Sequence, residues 1–178
     1  YIAKGDTYTF DLFCVHPVNS AAGYNSGTGF NQVPYYQNHP DQPNNQVFFS
    51  GAYYNYTGIQ NTSIDLYWLF LDTTSYPNTT TPIGSRHTMG GRYGALYPVD
   101  NGSRVWDVDT EGAIQFGSNL GSDVFAGFYT VVGGHTWKEV PWTPRLSGTF
   151  YYGSGSNKPG STSGTFNTLF PLSHAYCA

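Results

Sequence analysis

Charge is what this sequence has least of. Only 10% of its 178 residues are Asp, Glu, Lys or Arg, against roughly 25% in ordinary soluble domains. Seven Lys and Arg stand against eleven Asp and Glu, for a net charge of −4. No basic stripe is present to neutralise phosphates, which excludes nucleic acid as a partner. Cysteine is nearly absent, with Cys14 and Cys177 the only two. A disulfide-dense scaffold is thereby excluded. One internal pairing, Cys14 with Cys177, is left; it ties the first strand to the end of the chain and is worth on the order of 4 kcal/mol for so long a loop. Long hydrophobic runs are missing as well. The most apolar stretch, Ser63 to Asp72, is only ten residues long, whereas a membrane-crossing helix needs about 20, so no membrane span is expected. No secretory leader is visible, and Tyr1 in place of Met implies that one has been removed.

Aromatics and glycine fill the space that charge leaves. Aromatic residues make up 18% of the chain, with 16 Tyr and 12 Phe, and Gly numbers 22. Tyrosine exposes both a ring and a hydroxyl. A surface built from it is adhesive and responds little to salt. No segment has a helical period. Residues 8–15 alternate, with Tyr8, Phe10, Leu12 and Cys14 on one side and Thr9, Asp11, Phe13 and Val15 on the other, which predicts a half-buried strand. Residues 47–56 predict a second strand with a bulge at Gly51. It forms a hairpin with Ser63–Asp72, whose apolar run predicts a central strand buried on both faces. Segments 17–46 and 73–102 read as long irregular loops. Thr110–Gly112 reads as the turn of a further hairpin between strands over 104–109 and 113–116, Gly133-Gly134 as the end of a strand over 124–132, and 138–144 as a proline-limited edge. Residues 149–152 and 165–172 predict the last hairpin. The expected fold is all-β: a single antiparallel β-sandwich or jelly-roll domain over 1–178, with long loops and little or no helix.

Candidate sites are few. Sequons at Asn55, Asn61, Asn78 and Asn101 mark N-glycosylation positions. Asp107, Asp109 and Glu111, followed by Gly112 and Ile114, resemble the first half of an EF-hand calcium loop, in which alternate oxygens converge on a hard cation and the glycine permits the turn. The pattern departs from that loop at Glu111 and again at Ser118, where a bidentate Glu is usual. Arg86 and Arg92 sit in a glycine-rich stretch and are suited to holding a carboxylate. In the pairs Tyr35-Tyr36, Tyr53-Tyr54 and Tyr151-Tyr152, strand alternation sends one ring to each face. These tyrosines, with Trp137 and Trp142, are the expected ligand or subunit contacts. Neither the two Glu nor the five His fall in a catalytic or zinc motif, so no catalytic residue is assigned.

Together these features predict an extracellular structural or attachment protein. Such a subunit of a surface filament, fibre head or surface layer would self-associate through its tyrosine-rich faces. The alternative is a lectin-like adhesin binding glycans, and a glycan hydrolase ranks below both.

Overall fold

Alternation is the rule through most of this chain, and a run of alternating residues pairs with its neighbour along its whole length. The computed structural model describes residues 1–16, 18–19, 42–43, 47–73, 84–119, 121–156 and 162–169. Ten strands form: β1 (Ile2–Lys4), β2 (Tyr8–Val15), β3 (Val18–Asn19), β4 (Gln42–Pro43), β5 (Val47–Tyr56), β6 (Thr62–Thr73), β7 (Gly84–Val99), β8 (Arg104–Asn119), β9 (Ser122–Trp137) and β10 (Arg145–Gly153). Eight make one antiparallel sheet in the order β1-β2-β5-β6-β7-β8-β9-β10, and β3 pairs with β4 separately. Each strand of the large sheet lies beside its predecessor in that order, a meander without crossovers.

The all-β expectation holds. The second layer of a sandwich is not seen among the described residues, which form one long sheet. Its strands are also longer than expected. β7 runs through most of the segment read as loop 73–102, β8 runs straight through Thr110–Gly112, and β9 passes Gly133-Gly134 without stopping. Glycine and Thr-Glu-Gly read locally as turns, but a paired neighbour on each side holds them extended. Gly51 is no bulge either: it pairs in unbroken register with Phe13 and Leu69. True turns fall where the backbone turns left-handed. Between β7 and β8, Asp100, Asn101 and Gly102 have φ of 50°, 56° and 86°, a conformation that Asn, Asp and Gly tolerate best. Residues 138–144 form a loop rather than an edge strand, and 164–169 are not a strand.

Register fixes two faces of contrasting chemistry. One cross-strand row reads Ala3, Phe10, Tyr54, Leu66, Gly91, Gly112, Tyr129, Tyr152, all apolar or aromatic. The adjacent row on the opposite face reads Lys4, Thr9, Asn55, Asp65, Arg92, Glu111, Thr130, Tyr151, every member a hydrogen-bonding residue. On the apolar face the strands carry only three formal charges, Asp72, Arg104 and Asp123, each first or second from a strand end.

Burial is inverted relative to a water-soluble sheet. Asp65, Thr88, Gln115 and Thr130 are buried on the polar face, beside Val105, Ala113, Val124 and Ala126. On the apolar face Leu66 is 55% exposed, Ile114 49%, Phe125 66% and Phe150 60%. The central strand is therefore covered on one side only. The sheet, which is not closed, buries most of its central polar residues on one face and turns its apolar ones to the other.

Candidate functional site

The polar face is a wall of side chains that lie along the sheet and pin strands together. Tyr67 on β6 reaches across Gly90 on β7 and donates from its hydroxyl to Glu111 Oε1 on β8 at 2.8 Å. A Cβ at Gly90 would stand 2.5 Å from the Tyr67 Cζ and hydroxyl, so only glycine lets the ring cross. Arg145 on β10 likewise crosses Gly134 on β9 to Asp107 on β8, with Nε to Oδ1 at 3.0 Å and Nη2 to Oδ2 at 2.5 Å. A Cβ at Gly134 would meet the guanidinium at 2.5 Å. Tyr53 stacks parallel to Tyr67, with ring centroids 6.1 Å apart. Asn55 donates to Asp65 at 2.5 Å and to Ser63 at 2.9 Å. Arg92 forks onto Asp109, with Nε to Oδ1 at 2.9 Å and a shorter contact from Nη2. Several of these residues border a groove of about 1290 Å³ whose lining includes Asp65, Arg92, Asp107, Glu111, Arg145 and Tyr151. Replacing Gly90 with Val is expected to displace Tyr67, break its bond to Glu111 and cost about 1–3 kcal/mol, read as a lower denaturation midpoint.

Towards the β8–β9 turn the polar face is covered by the chain itself. Residues after β10 return along the free edge of β9, where Ser163 bonds Asp123 and Phe125. They then cross to Gln115, which is fully buried. Its amide pairs with the Asn167 backbone as a strand would, Nε2 donating to Asn167 O at 2.6 Å and Oε1 accepting from Asn167 N at 2.8 Å. Nε2 also donates to Thr88 at 3.0 Å, and Phe166 packs on Phe128 at 4.7 Å. No sequence signal singles out Gln115, because a buried glutamine is visible only once its partners are placed.

The apolar face carries two aromatic belts. Near the β7–β8 turn, Trp106 and Trp137 flank His135 at 4.1 and 4.4 Å, and Tyr93 and Tyr97 share a hydroxyl hydrogen bond of 2.7 Å. Towards the other end Phe70, His87 and Phe116 stack in register at 4.7 and 5.2 Å, with Trp68 against His87. On β8 the belts lie roughly ten residue steps apart, from Trp106 to Phe116. That is about 33 Å of strand, or about 25 Å of height at the 35–45° tilt typical of membrane barrels.

A family model described as alginate export matches residues 3–178. The chain belongs to the alginate export family. It is a family of outer-membrane β-barrel transporters, not of enzymes. No similar curated protein or solved structure was found alongside it. Membership overturns three expectations: the filament or attachment role with its lectin-like alternative, the self-assembly and adhesion that went with them, and the extracellular location. The misreading has a physical cause. Low charge and exposed tyrosine mark a sticky surface in water, and they equally mark a surface that meets lipid. No described helix is long and apolar enough to cross a membrane, but strands cross in about 9–11 residues, well within the length of β7, β8 and β9.

The structure separates several residues that the sequence grouped. Asp107, Asp109 and Glu111 share the polar face of a straight strand rather than converging in a loop. Among the described residues no three His, Cys, Asp or Glu lie close enough to hold a metal ion. Arg86 and Arg92 share that face six residues apart, and Arg92 is already neutralised by Asp109. Arg86 has no carboxylate partner among the described residues and reaches only Gln115, at 3.4 Å. Tyr53 and Tyr151 lie on the polar face, Tyr54 and Tyr152 on the apolar one. Trp137 joins an aromatic belt, and Trp142 is almost wholly exposed in the loop before β10. Asn55 sits within β5, while Asn61 and Asn101 occupy turns. Cys14 is exposed on β2 and has no disulfide partner among the described residues. Cys177, Asn78, Tyr35 and Tyr36 fall outside the described residues.

Proposed function

We propose that this chain forms part of the wall of an outer-membrane β-barrel through which an acidic polysaccharide such as alginate leaves the cell. One observation carries the reading: the sheet buries its polar face and exposes an almost charge-free one bounded by aromatic belts. In lipid that orientation is the stable one. Apolar side chains meet acyl chains, Trp and Tyr sit at the interfaces, and polar side chains line the lumen. The antiparallel ladders satisfy the backbone, as the bilayer core requires.

Among the described residues Arg86 is the guanidinium without a carboxylate partner and so the one suited to a uronate carboxylate, because Arg92, Arg104 and Arg145 already hold Asp109, Asp100 and Asp107. The test is reconstitution in planar lipid bilayers. The protein is expected to fractionate with outer membranes, to open channels and to be blocked by oligouronates. Arg86→Ala is expected to weaken that block roughly tenfold, the loss of one charge-assisted hydrogen bond. Absence of any channel activity from folded protein would sink the proposal.

A further inference from the structure

The cross-strand row Lys4, Thr9, Asn55, Asp65, Arg92, Glu111, Thr130, Tyr151 visits all eight strands of the sheet, one hydrogen-bonding residue per strand. The next row on the same face, Ile2, Asp11, Tyr53, Tyr67, Gly90, Ala113, Phe128, Gly153, is interrupted by five residues with no polar side chain, in mid-sheet and at its ends. Strands lie about 4.8 Å apart, so the polar row is roughly 34 Å long. It runs across the strands. In a barrel whose strands tilt 35–45° from the axis, a row across the strands climbs as it winds. Over eight strands it rises roughly 20 Å, most of the thickness of the apolar band.

We infer that this row is a glycan track: a continuous path on the lumen wall that binds sugar hydroxyls, one strand at a time, irrespective of the charge of the polymer. The inference rests on the exporter reading and deepens it. Its chemistry follows from the sequence of charges. Lys4, Asp65, Arg92 and Glu111 alternate in sign and sum to zero, so a uniform polyanion meets attraction and repulsion in turn. Hydroxyls, which donate and accept, pair with either sign. Five members, Asp65, Arg92, Glu111, Thr130 and Tyr151, border the groove. Glu111 spends one acceptor site on Tyr67 and keeps others, and Tyr151 is 52% exposed with its ring available to a pyranose face. Carboxylate recognition then belongs to Arg86, off the row.

The test uses a neutral sugar, maltohexaose, as a blocker of the reconstituted channel. Block is expected in the unmodified protein and is expected to change less than about twofold between 0.1 and 1 M KCl, since screening acts on charges. Glu111→Leu and Tyr151→Leu are each expected to weaken it roughly tenfold, while Glu111→Gln, which keeps an acceptor and drops the charge, stays within about threefold. Single-channel conductance without sugar reports whether each variant has assembled. A channel that ignores maltohexaose, loses the block in salt, or is indifferent to Glu111→Leu overturns the track and leaves the exporter reading standing. A folded protein that opens no channel overturns both.

Discussion

Arginine in place of Leu66 is expected to destabilise the folded protein in lipid vesicles by about 2–4 kcal/mol. Leu66 is 55% exposed on β6, between Tyr54 on β5 and Gly91 on β7. Its cross-strand row meets β8 at Gly112, between the aromatic belts on that face. A guanidinium there enters the hydrocarbon with no carboxylate beside it and must distort the bilayer to reach water. Arginine at Leu146, in register with His135 and Trp106 in the belt near the β7–β8 turn, is expected to cost about 0–1 kcal/mol, because it reaches headgroups directly. Equilibrium unfolding of both variants in vesicles measures the difference. If the apolar face met water, both substitutions would fall within about 0.5 kcal/mol of the unmodified protein. Equal, small effects would therefore contradict the lipid-facing assignment.

Leucine in place of Gln115 is expected to release residues 164–169 from the polar face. Leucine matches the glutamine in bulk but leaves the Asn167 N–H, its carbonyl and the Thr88 hydroxyl without the partners they now have. Each unpaired buried group costs about 1–3 kcal/mol. A loss of roughly 3 kcal/mol from the docking of this segment speeds exchange of the Asn167 amide about a hundredfold. Gln115→Glu keeps the acceptor for Asn167 N–H and loses the donor, so its exchange is expected to fall between the two. Hydrogen exchange resolved at Asn167 reads both, while protection within β7 and β8 is expected to hold. An Asn167 amide as protected in the leucine variant as in the unmodified protein would show that Gln115 does not hold the segment.

Much of the sheet was legible in sequence. β2, β5 and β6 follow from alternation and β-branched or aromatic content, and the β5–β6 hairpin has the register that their turn implies. β7 was not legible. Its glycines at 84, 90, 91 and 94 read as loop, yet Gly90 is the floor over which Tyr67 reaches Glu111. The requirement for glycine comes from the ring of Tyr67 on the neighbouring strand β6, which no local window contains. The same holds for β8. Asp107, Asp109 and Glu111 resemble a cation loop locally, whereas their partners Arg145, Arg92 and Tyr67 come from three other strands. Carboxylates that converge in a loop and carboxylates that alternate on a strand have the same spacing in sequence and different neighbours in space.

Sequence by itself determined that residues two apart share a face and therefore that Tyr8, Phe10, Leu12 and Cys14 oppose Thr9, Asp11, Phe13 and Val15. A period of two sorts residues into faces and carries no sign. It cannot say which face turns inward or what the outward face touches. That was decided by the tertiary structure, which buries Asp65, Gln115 and Thr130 and leaves Leu66, Ile114 and Phe125 outside. In water this arrangement exposes the wrong surface. Against hydrocarbon it is the favourable one, because backbone and polar side chains are satisfied within the protein and the apolar side chains face a solvent like themselves.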